Sequence, residues 1–214
     1  MKLYYYDHCP FSARVRMLLN LKGIEADQEV LPADDEQTVT RLIGKHQIPV
    51  LVLDDGTPMA DSMAIARYLD RLDGKPLIRE PDSPAVHEWL EPFVPTLQYL
   101  GYPRWTRIGL AEFASPSAYR HFREKKTHTI GDFDEAVANT EAKAREVDAQ
   151  LQRLPQIIDL TPTHEQPRWD DVTLFPMLRS LSVVKAVQWP EDVRAYTVTL
   201  AQRCGLDTFF DRAL

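Results

Sequence analysis

The spacing of apolar residues over the first 74 positions changes several times and predicts the element order β-α-β-α-β-β-α. Lys2 to Tyr6 is a short aromatic and apolar run, which is typical of a strand. From Pro10 to Lys22 the apolar residues follow the spacing of one helix face, and Gly23 ends that helix. The other predicted elements are strands at 25–31, 50–53 and 58–60, and helices at 36–43 and from 61 to a stop at Gly74.

The character of the chain changes near residue 80. The segment 74–84 holds three prolines and mixed charge, which is typical of a linker. From Ala85 onward the periodicity is mainly helical, for example at 135–154 and 174–187. The predicted organisation is a small mixed domain at 1–74, a linker at 75–84 and a helical domain at 85–214.

Composition narrows the class of protein. The 214 residues are 44% hydrophobic and 27% charged, with a formal net charge of −7, which argues against a nucleic-acid binder. We find no apolar run of membrane-spanning length and no export signal at the N-terminus. Two cysteines cannot form a disulfide framework, so a reducing, cytoplasmic location is expected. The scattered histidines show no zinc-ligand spacing, and no metal is expected.

Cys9 lies where the first predicted strand gives way to the first predicted helix. The unpaired N–H groups and the dipole at a helix start favour negative charge, so this position is expected to lower the pKa of the thiol. Arg14 and Arg16 add positive charge nearby, whereas Asp7 adds negative charge. Cys9 is therefore a candidate nucleophile; the alternative that these residues leave open is a small buried side chain at a helix start.

Four stretches, in this order and at this spacing, resemble the bacterial glutaredoxin 2 family. They are KLYYYDHCPFSARVRMLLNLKGI, QIPVLVLDDG, MADSMAIARYLDRLDGKPL and DDVTLFPMLRSL, and the resemblance covers essentially the whole chain. It implies an α/β thioredoxin-like N-terminal domain followed by an all-α C-terminal domain, which is the glutathione-transferase-like architecture. It also implies glutathione as a co-substrate.

The resemblance implies roles for matching residues of the first domain. Cys9 would form a mixed disulfide with glutathione, while Pro10 and Phe11 would shape the loop and wall of the site. Pro49 matches a position at which the family has a cis proline; a trans proline that starts a strand is the alternative. The backbone of Ile48 would pair with the cysteinyl part of glutathione, a contact that tolerates any side chain.

Asp61 and Ser62 open the third predicted helix. A helix N-terminus offers free N–H groups and partial positive charge, which suit the γ-glutamyl carboxylate of glutathione. Ser62 adds a hydroxyl, and Asp61 could receive the γ-glutamyl amine, although the family often has the longer Glu at this position. An ordinary N-cap is the other interpretation, and the two are compatible because they share one geometry.

Ser12 departs from the two-thiol members of the family, which have a second cysteine three residues after the first. A hydroxyl cannot attack a mixed disulfide, so a two-thiol cycle is excluded at this site. A one-thiol cycle needs only Cys9, with Ser12 donating a hydrogen bond to the thiolate. A substitution introduced to trap an intermediate is the alternative origin of Ser12. Cys204, near the C-terminus, is expected to be inert.

The second half offers fewer candidates. Five apolar residues in a proline-interrupted helical stretch are expected to pack in the core, or else to face Cys9 and form an acceptor pocket: Trp89, Phe93, Leu97, Leu100 and Trp105. The stretch WDDVTLFPMLRSL resembles the helix that nucleates folding in the transferase superfamily. Asp171 would lie near the N-terminus of that helix, where its negative charge is favourable. Arg168 stands where the family usually has a capping Ser or Thr, and it cannot accept the capping hydrogen bond. The basic run from Arg123 to Lys126 is interpreted as a solvated face.

The leading hypothesis is an enzyme, a glutathione-dependent thiol-disulfide oxidoreductase that reduces glutathione mixed disulfides of small molecules or proteins through Cys9. A cysteine-type glutathione transferase or dehydroascorbate reductase would share the fold and the Cys9 chemistry. A non-catalytic, protein-binding member of the fold is a hypothesis from another class. Nucleic acid and membrane are not expected partners, and a monomer is favoured although no residue decides the oligomeric state.

Overall fold

The computed structural model describes residues 1–161 and 166–214. The elements of the first part are β1 (Lys2–Tyr5), α1 (Pro10–Leu21), β2 (Asp27–Val30), α2 (Gln37–Ile43), β3 (Val50–Val52), β4 (Pro58–Met59) and α3 (Ser62–Arg71). The described helices that follow are α4 (Pro84–Trp105), α5 (Pro116–Ile130), α6 (Phe133–Ala138), α7 (Thr140–Arg153), α8 (Trp169–Leu181) and α9 (Glu191–Arg203). Short 3-10 turns connect some of them.

The four strands form one mixed sheet in the order β2-β1-β3-β4. β1 runs parallel to β2, with Leu3 opposite Gln28, and antiparallel to β3, with Leu3 opposite Leu51. β3 pairs antiparallel with β4, where Leu51 lies opposite Met59. A parallel β-α-β unit followed by a hairpin and a helix is the thioredoxin-like arrangement. The predicted fold class and the predicted element order of the first domain are confirmed.

Cys9 lies between the end of the interior strand β1 and the start of α1. Cys9 is the N-cap residue with an extended backbone, and Pro10 occupies the first helical position, where a missing N–H has no partner to lose. The buried Val15 and Leu18 lie on a helix that contacts α3 and α8. Gly23 follows the end of the helix with φ of +60°, in the left-handed region that favours glycine. The cysteine therefore lies at a helix start that packing fixes from two sides.

α4 is one continuous helix of 22 residues, although the sequence predicted an interrupted one. Pro92, Pro95 and Pro103 lie inside it. A proline withdraws the N–H that would pair with the carbonyl four residues earlier. For the first two these carbonyls belong to Glu88 and Glu91, which are exposed and can be hydrated.

None of the described helices, α4 included, is both long and apolar enough to cross a membrane.

Two other helix boundaries correct the sequence prediction. The periodic segment 135–154 is two helices, α6 and α7, joined at Asn139, whose backbone (φ −87°, ψ 10°) leaves the helical region. The hydroxyl of Thr140 donates to the carbonyl of Val137 across this joint. The segment 174–187 was also placed too far along the chain, because the helix begins at Trp169 and ends at Leu181. Periodicity identified the helices but not their ends.

The predicted linker lies against α8. The N–H of Arg79 donates to the carbonyl of Pro167, and the N–H of Trp169 donates back to the carbonyl of Arg79. The carboxylate of Asp70 at the end of α3 accepts from the N–H groups of Leu77 and Ile78. α4 begins at residue 84, inside the predicted linker. The domain limits 1–74 and 85–214 stay a prediction.

At the start of α8, Asp171 supplies one half of a capping box, and the half that an N-cap Ser or Thr would supply is missing. The Asp171 carboxylate accepts from the N–H of Arg168 at 2.7 Å and from the Arg168 guanidinium at 3.0 Å. It also accepts from the hydroxyl of Tyr196 on α9 at 2.8 Å. As predicted, the Arg168 side chain does not cap the helix. One buried carboxylate therefore fixes the residue before α8 and links α8 to α9.

Replacement of Asp171 is expected to destabilise the whole chain. Asp171→Ala removes the carboxylate that pairs with the half-buried Arg168 guanidinium and accepts from the buried Tyr196 hydroxyl, and the free energy of unfolding should fall by about 3 kcal/mol. Urea denaturation followed by circular dichroism measures this change. Asp134→Ala removes an exposed carboxylate of an ion pair with Arg123 and should cost less than about 0.5 kcal/mol. Equal losses in the two variants would contradict the capping role.

Candidate functional site

A cavity of about 520 Å³ opens between the sheet side of the chain and the helices α4 and α5. This volume is in the range of small-molecule sites. All predicted site residues except Ser12 line it, namely Cys9, Pro10, Phe11, Ile48, Pro49, Asp61 and Ser62. Ser12 is fully buried beneath Cys9 in the first turn of α1. The structure therefore brings together residues from three separate stretches of the sequence.

Ser12 bridges the strand end and the cysteine. Its hydroxyl oxygen accepts from the N–H of Tyr6 at 3.3 Å. The hydroxyl hydrogen is then free to donate to the sulfur of Cys9, with which Ser12 forms both a side-chain and a backbone hydrogen bond. Ser12 occupies a position from which it can support a thiolate.

Burial nevertheless raises the pKa of the Cys9 thiol above its ordinary value. The hydrogen bonds from Ser12 and from the N–H of Phe11, and the charge of Lys126, act in the opposite direction without overcoming it. Cys9 is half-buried and packs against an apolar cluster that includes Tyr6 and Val50. The predicted lowering of the thiol pKa is therefore wrong, because loss of water around the sulfur outweighs the helix start.

Pro49 follows a cis peptide bond, as predicted from the resemblance. It is buried, whereas Ile48 is half-buried and lines the cavity. The side chain of Gln47 donates to the carbonyl of Ala60 at 2.6 Å and so links this turn to the segment before α3. The predicted contact between the backbone of Ile48 and a ligand stays a prediction.

Asp61 and Ser62 lie at the start of α3 on the same cavity. Asp61 is the N-cap, and its carboxylate accepts from the N–H of Ala64 at 2.7 Å. The hydroxyl oxygen of the buried Ser62 accepts from the guanidinium of Arg14 at 2.9 Å, so its own hydrogen is available to a ligand. Burial lowers the pKa of Arg14 to about 10, a value at which it stays charged at neutral pH. A cation, a hydroxyl and a helix N-terminus thus converge on one point.

Phe11 forms the rim of the cavity and is 41% exposed. The Arg14 guanidinium lies 5.6 Å from the centroid of its ring. Pro10 lines the cavity as the first residue of α1. The exposed ring and the rigid proline lie where the resemblance places the wall of a glutathione site.

The helical half supplies the opposite wall. Of the five apolar candidates, Leu97 and Trp105 line the cavity, whereas Trp89, Phe93 and Leu100 lie only in the core. The expected core packing is thus confirmed, and Leu97 and Trp105 also face the cavity, where an acceptor pocket stays a prediction. Trp105 packs across Gly101, where an added Cβ would lie 2.4 Å from the indole ring.

The basic run on α5 was interpreted wrongly in part. Arg123 pairs with Asp134 at 2.9 Å, as a solvated side chain does. Lys125 and Lys126 instead line the cavity, and Lys126 is half-buried. Lys125 and Lys126 lie four residues after His121 and Phe122, which line the same cavity, so both pairs share that side of α5.

A buried pair beside the cysteine was not predicted from any sequence pattern. The carboxylate of Glu112 accepts from the N–H of His8 at 3.0 Å and lies 2.8 Å from its Nδ1. Although burial favours the neutral acid, the hydrogen bond and charge of His8 hold the pKa of Glu112 below its usual range. The hydroxyl of Ser180 on α8 donates to the carbonyl of His8 at 3.1 Å. Contacts between residues more than 100 positions apart carry no local signal.

Cys204 lies away from the cavity and is fully buried. Its thiol donates to the carbonyl of Leu200 at 2.8 Å, and burial raises its pKa to about 12. These properties agree with the expected inert thiol.

Comparisons with known proteins point to one family. The family model "Glutaredoxin 2, C terminal domain" matches residues 85–213, and "Glutathione S-transferase, N-terminal domain" matches residues 8–72. Glutaredoxin 2 of Escherichia coli K12 is 35% identical over the full length of both chains. The solved structure of glutaredoxin 2 from Salmonella typhimurium in complex with glutathione has a TM-score of 0.93 and 36% identity, covering 100% of this chain and 98% of that one.

A more distant structure shows the fold alone. A glutathione transferase from Phanerochaete chrysosporium is 17% identical with a TM-score of 0.65, covering 96% of this chain and 98% of that one.

Removal of the Ser12 hydroxyl is expected to make Cys9 less acidic still. The alkylation rate of Cys9 with iodoacetamide, followed against pH, reports the thiolate population. In Ser12→Ala the midpoint should move to higher pH, and the rate at neutral pH should fall about tenfold, since a hydrogen bond to a charged group contributes about 1.5 kcal/mol. Cys204→Ala should leave the profile unchanged. A Ser12→Ala midpoint equal to that of the parent would exclude thiolate support.

Proposed function

The chain belongs to the glutaredoxin 2 family, and we propose that it is a glutathione-dependent thiol-disulfide oxidoreductase that works by a one-thiol cycle through Cys9. One observation carries the mechanism. Cys9 opens onto the cavity at a helix start, while the place of a second thiol is taken by the buried hydroxyl of Ser12. Cys204, the other cysteine, is buried elsewhere.

The cycle consists of two exchanges in which sulfur–sulfur bonds are conserved. In the first, the Cys9 thiolate attacks the glutathione sulfur of a mixed disulfide. A Cys9–glutathione disulfide forms, and the electron pair of the broken bond leaves on the substrate thiolate. In the second, the thiolate of another glutathione attacks the same glutathione sulfur, which releases oxidised glutathione and regenerates the Cys9 thiolate.

The raised pKa of Cys9 has two opposing effects on this chemistry. Fewer sulfurs are ionised at neutral pH, but each thiolate is a stronger nucleophile because nucleophilicity rises with pKa. The hydrogen bonds from Ser12 and Phe11 favour the thiolate against the burial that disfavours it. The rate of the first exchange is expected to increase as the pH rises above neutrality.

Glutathione is proposed to lie along the wall formed by the first domain. Its γ-glutamyl carboxylate would meet the Ser62 hydroxyl beside Arg14. Its amine would meet the Asp61 carboxylate, of which one oxygen is committed to capping α3. Its cysteinyl backbone would pair with Ile48. The Salmonella relative was solved in complex with glutathione, which supports a tripeptide ligand without assigning these contacts.

The partners and location follow from the cycle. The substrates are proposed to be glutathionylated small molecules or proteins, and the active form is proposed to be a monomer. The second exchange consumes reduced glutathione, so the enzyme is proposed to work in the cytoplasm, where thiols are kept reduced. The cysteine content of the chain is consistent with this.

Oxidised glutathione should add a single glutathionyl group to the reduced protein. Intact-mass spectrometry measures the adduct, which glutathione should reverse. Cys9→Ser should give no adduct and should reduce the mixed disulfide of glutathione and mercaptoethanol no faster than the uncatalysed rate. Cys204→Ala should behave like the parent, because its sulfur is buried.

The one-thiol step is tested by restoring a second thiol. Ser12→Cys should release glutathione from the adduct without added thiol, whereas the parent adduct should persist until glutathione is supplied. An adduct on Cys204, or a parent adduct that decays unaided, would contradict the proposal.

Asp61→Asn separates the two roles of this residue. Asparagine caps a helix as well as aspartate does, so the free energy of unfolding should change by less than about 0.5 kcal/mol. Loss of the negative charge should raise the KM for glutathione about tenfold if the carboxylate receives the amine. Asp132→Asn is the matched control, since Asp132 caps α6 outside the cavity lining. An unchanged KM would limit Asp61 to capping.

A further inference from the structure

The wall of the cavity that α4 and α5 form carries a lysine ammonium group. Lys126 on α5 is half-buried and lines the same cavity as Cys9. Its Nζ lies 4.9 Å from the ring centroid of Tyr102 and 5.7 Å from that of Phe122, and both rings are buried. Within residues 1–161 and 166–214 no carboxylate pairs with it. Two aromatic faces stabilise the cation but leave its charge uncompensated.

The adjacent lysine differs in this respect. Lys125 Nζ lies 2.6 Å from the carboxylate of Glu36 and 3.2 Å from Nδ1 of His46, so its charge is already satisfied. Burial and the charge of Lys125 lower the pKa of Lys126. An anion that entered the cavity would compensate the charge of Lys126. Its interaction energy would be more favourable at Lys126 than at Lys125, because Glu36 already pairs with Lys125.

The charges that line the cavity are distributed unevenly. On the first-domain side, Arg14 and Asp61 have opposite signs and lie at the proposed γ-glutamyl end of glutathione. On the α5 side, Lys125 and Lys126 are cations, and Asp61 is the only carboxylate among the described lining residues. Because Glu36 pairs with Lys125, the cation that this protein of net charge −7 presents on the α5 side is that of Lys126.

We propose that Lys126 selects mixed disulfides in which the non-glutathione half carries an anionic group, such as a carboxylate, close to its sulfur. The inference rests on the one-thiol function proposed above. Lys126 forms and breaks no bond. Its ammonium contacts the anionic substituent of the half that departs as a thiolate when the Cys9–glutathione disulfide forms.

Three mixed disulfides of glutathione test this selection: with mercaptopropionate (anionic), mercaptoethanol (neutral) and cysteamine (cationic). The parent enzyme should prefer the anionic over the cationic one about tenfold in kcat/KM at low salt, and salt should weaken the preference. In Lys126→Gln the preference should fall to within about twofold, and in Lys126→Arg it should persist. Each ratio is taken within one variant, so any change in the Cys9 thiolate population cancels.

A matched lysine variant and the KM for glutathione distinguish substrate selection from a general effect of charge. Lys143→Gln removes an exposed charge paired with Glu146 outside the cavity lining, and the parent preference should be retained. If Lys126→Gln lowers kcat/KM equally for all three disulfides and raises the KM for glutathione, Lys126 binds the glycine carboxylate of glutathione and the selection is overturned. Equal parent rates on the three disulfides overturn it too. A parent enzyme inactive on the neutral disulfide would instead overturn the one-thiol function itself.

Discussion

The buried guanidinium of Arg179 fixes the loop on which the chemistry depends. Arg179 is 1% exposed, and it donates to the backbone carbonyl of Asp7 at 2.7 Å and to the Asp7 carboxylate at 2.9 Å. Although burial favours the neutral acid, the charges of Arg179 and Arg16 hold the pKa of Asp7 below its usual range. A buried charge left without its partner costs several kcal/mol, so the ion pair between Arg179 and Asp7 is retained in the folded state. The loop that ends at Cys9 is therefore set by α8, which belongs to the other half of the chain.

The pKa of Cys9 likewise depends on both the first domain and the helical half of the chain. The first domain supplies the helix start and the hydrogen bonds of Ser12 and Phe11, which favour the thiolate. The cavity into which the sulfur opens is walled on its far side by α4 and α5, where the buried Tyr102 and Phe122 lie, and α5 also supplies Lys126, whose charge favours the thiolate. The position of Cys9 at a helix start predicts a lowered thiol pKa, and this position is the only feature of its environment that the sequence reveals. The burial that reverses the sign depends on residues distant in the chain.

The same distinction decides how much of the site the sequence predicts. Cys9, Pro49 and the Asp61–Ser62 pair are positioned mainly by local backbone geometry, which the neighbouring residues in the sequence indicate. Glu112 and Arg179 act through contacts across more than 100 residues, and no nearby pattern marks them. Lys126 was visible only as part of a basic run, because its burial depends on where Tyr102 and Phe122 meet. The periodicity of apolar residues predicted the helices of the second half. The ends of these helices, such as the joint between α6 and α7 at Asn139, depend on packing.

Ser12 fits its position better than a cysteine would. Its oxygen accepts from the N–H of Tyr6, a buried backbone donor that would otherwise lack a partner in that loop. Its hydrogen bond to Cys9 favours the thiolate, against the burial that disfavours it. A thiol is a weaker acceptor and a weaker donor than a hydroxyl, so a cysteine at residue 12 would serve both partners less well. A second thiol would add a resolving reaction at the expense of this support, and the loop as built supports a single thiolate, as the proposed one-thiol cycle requires.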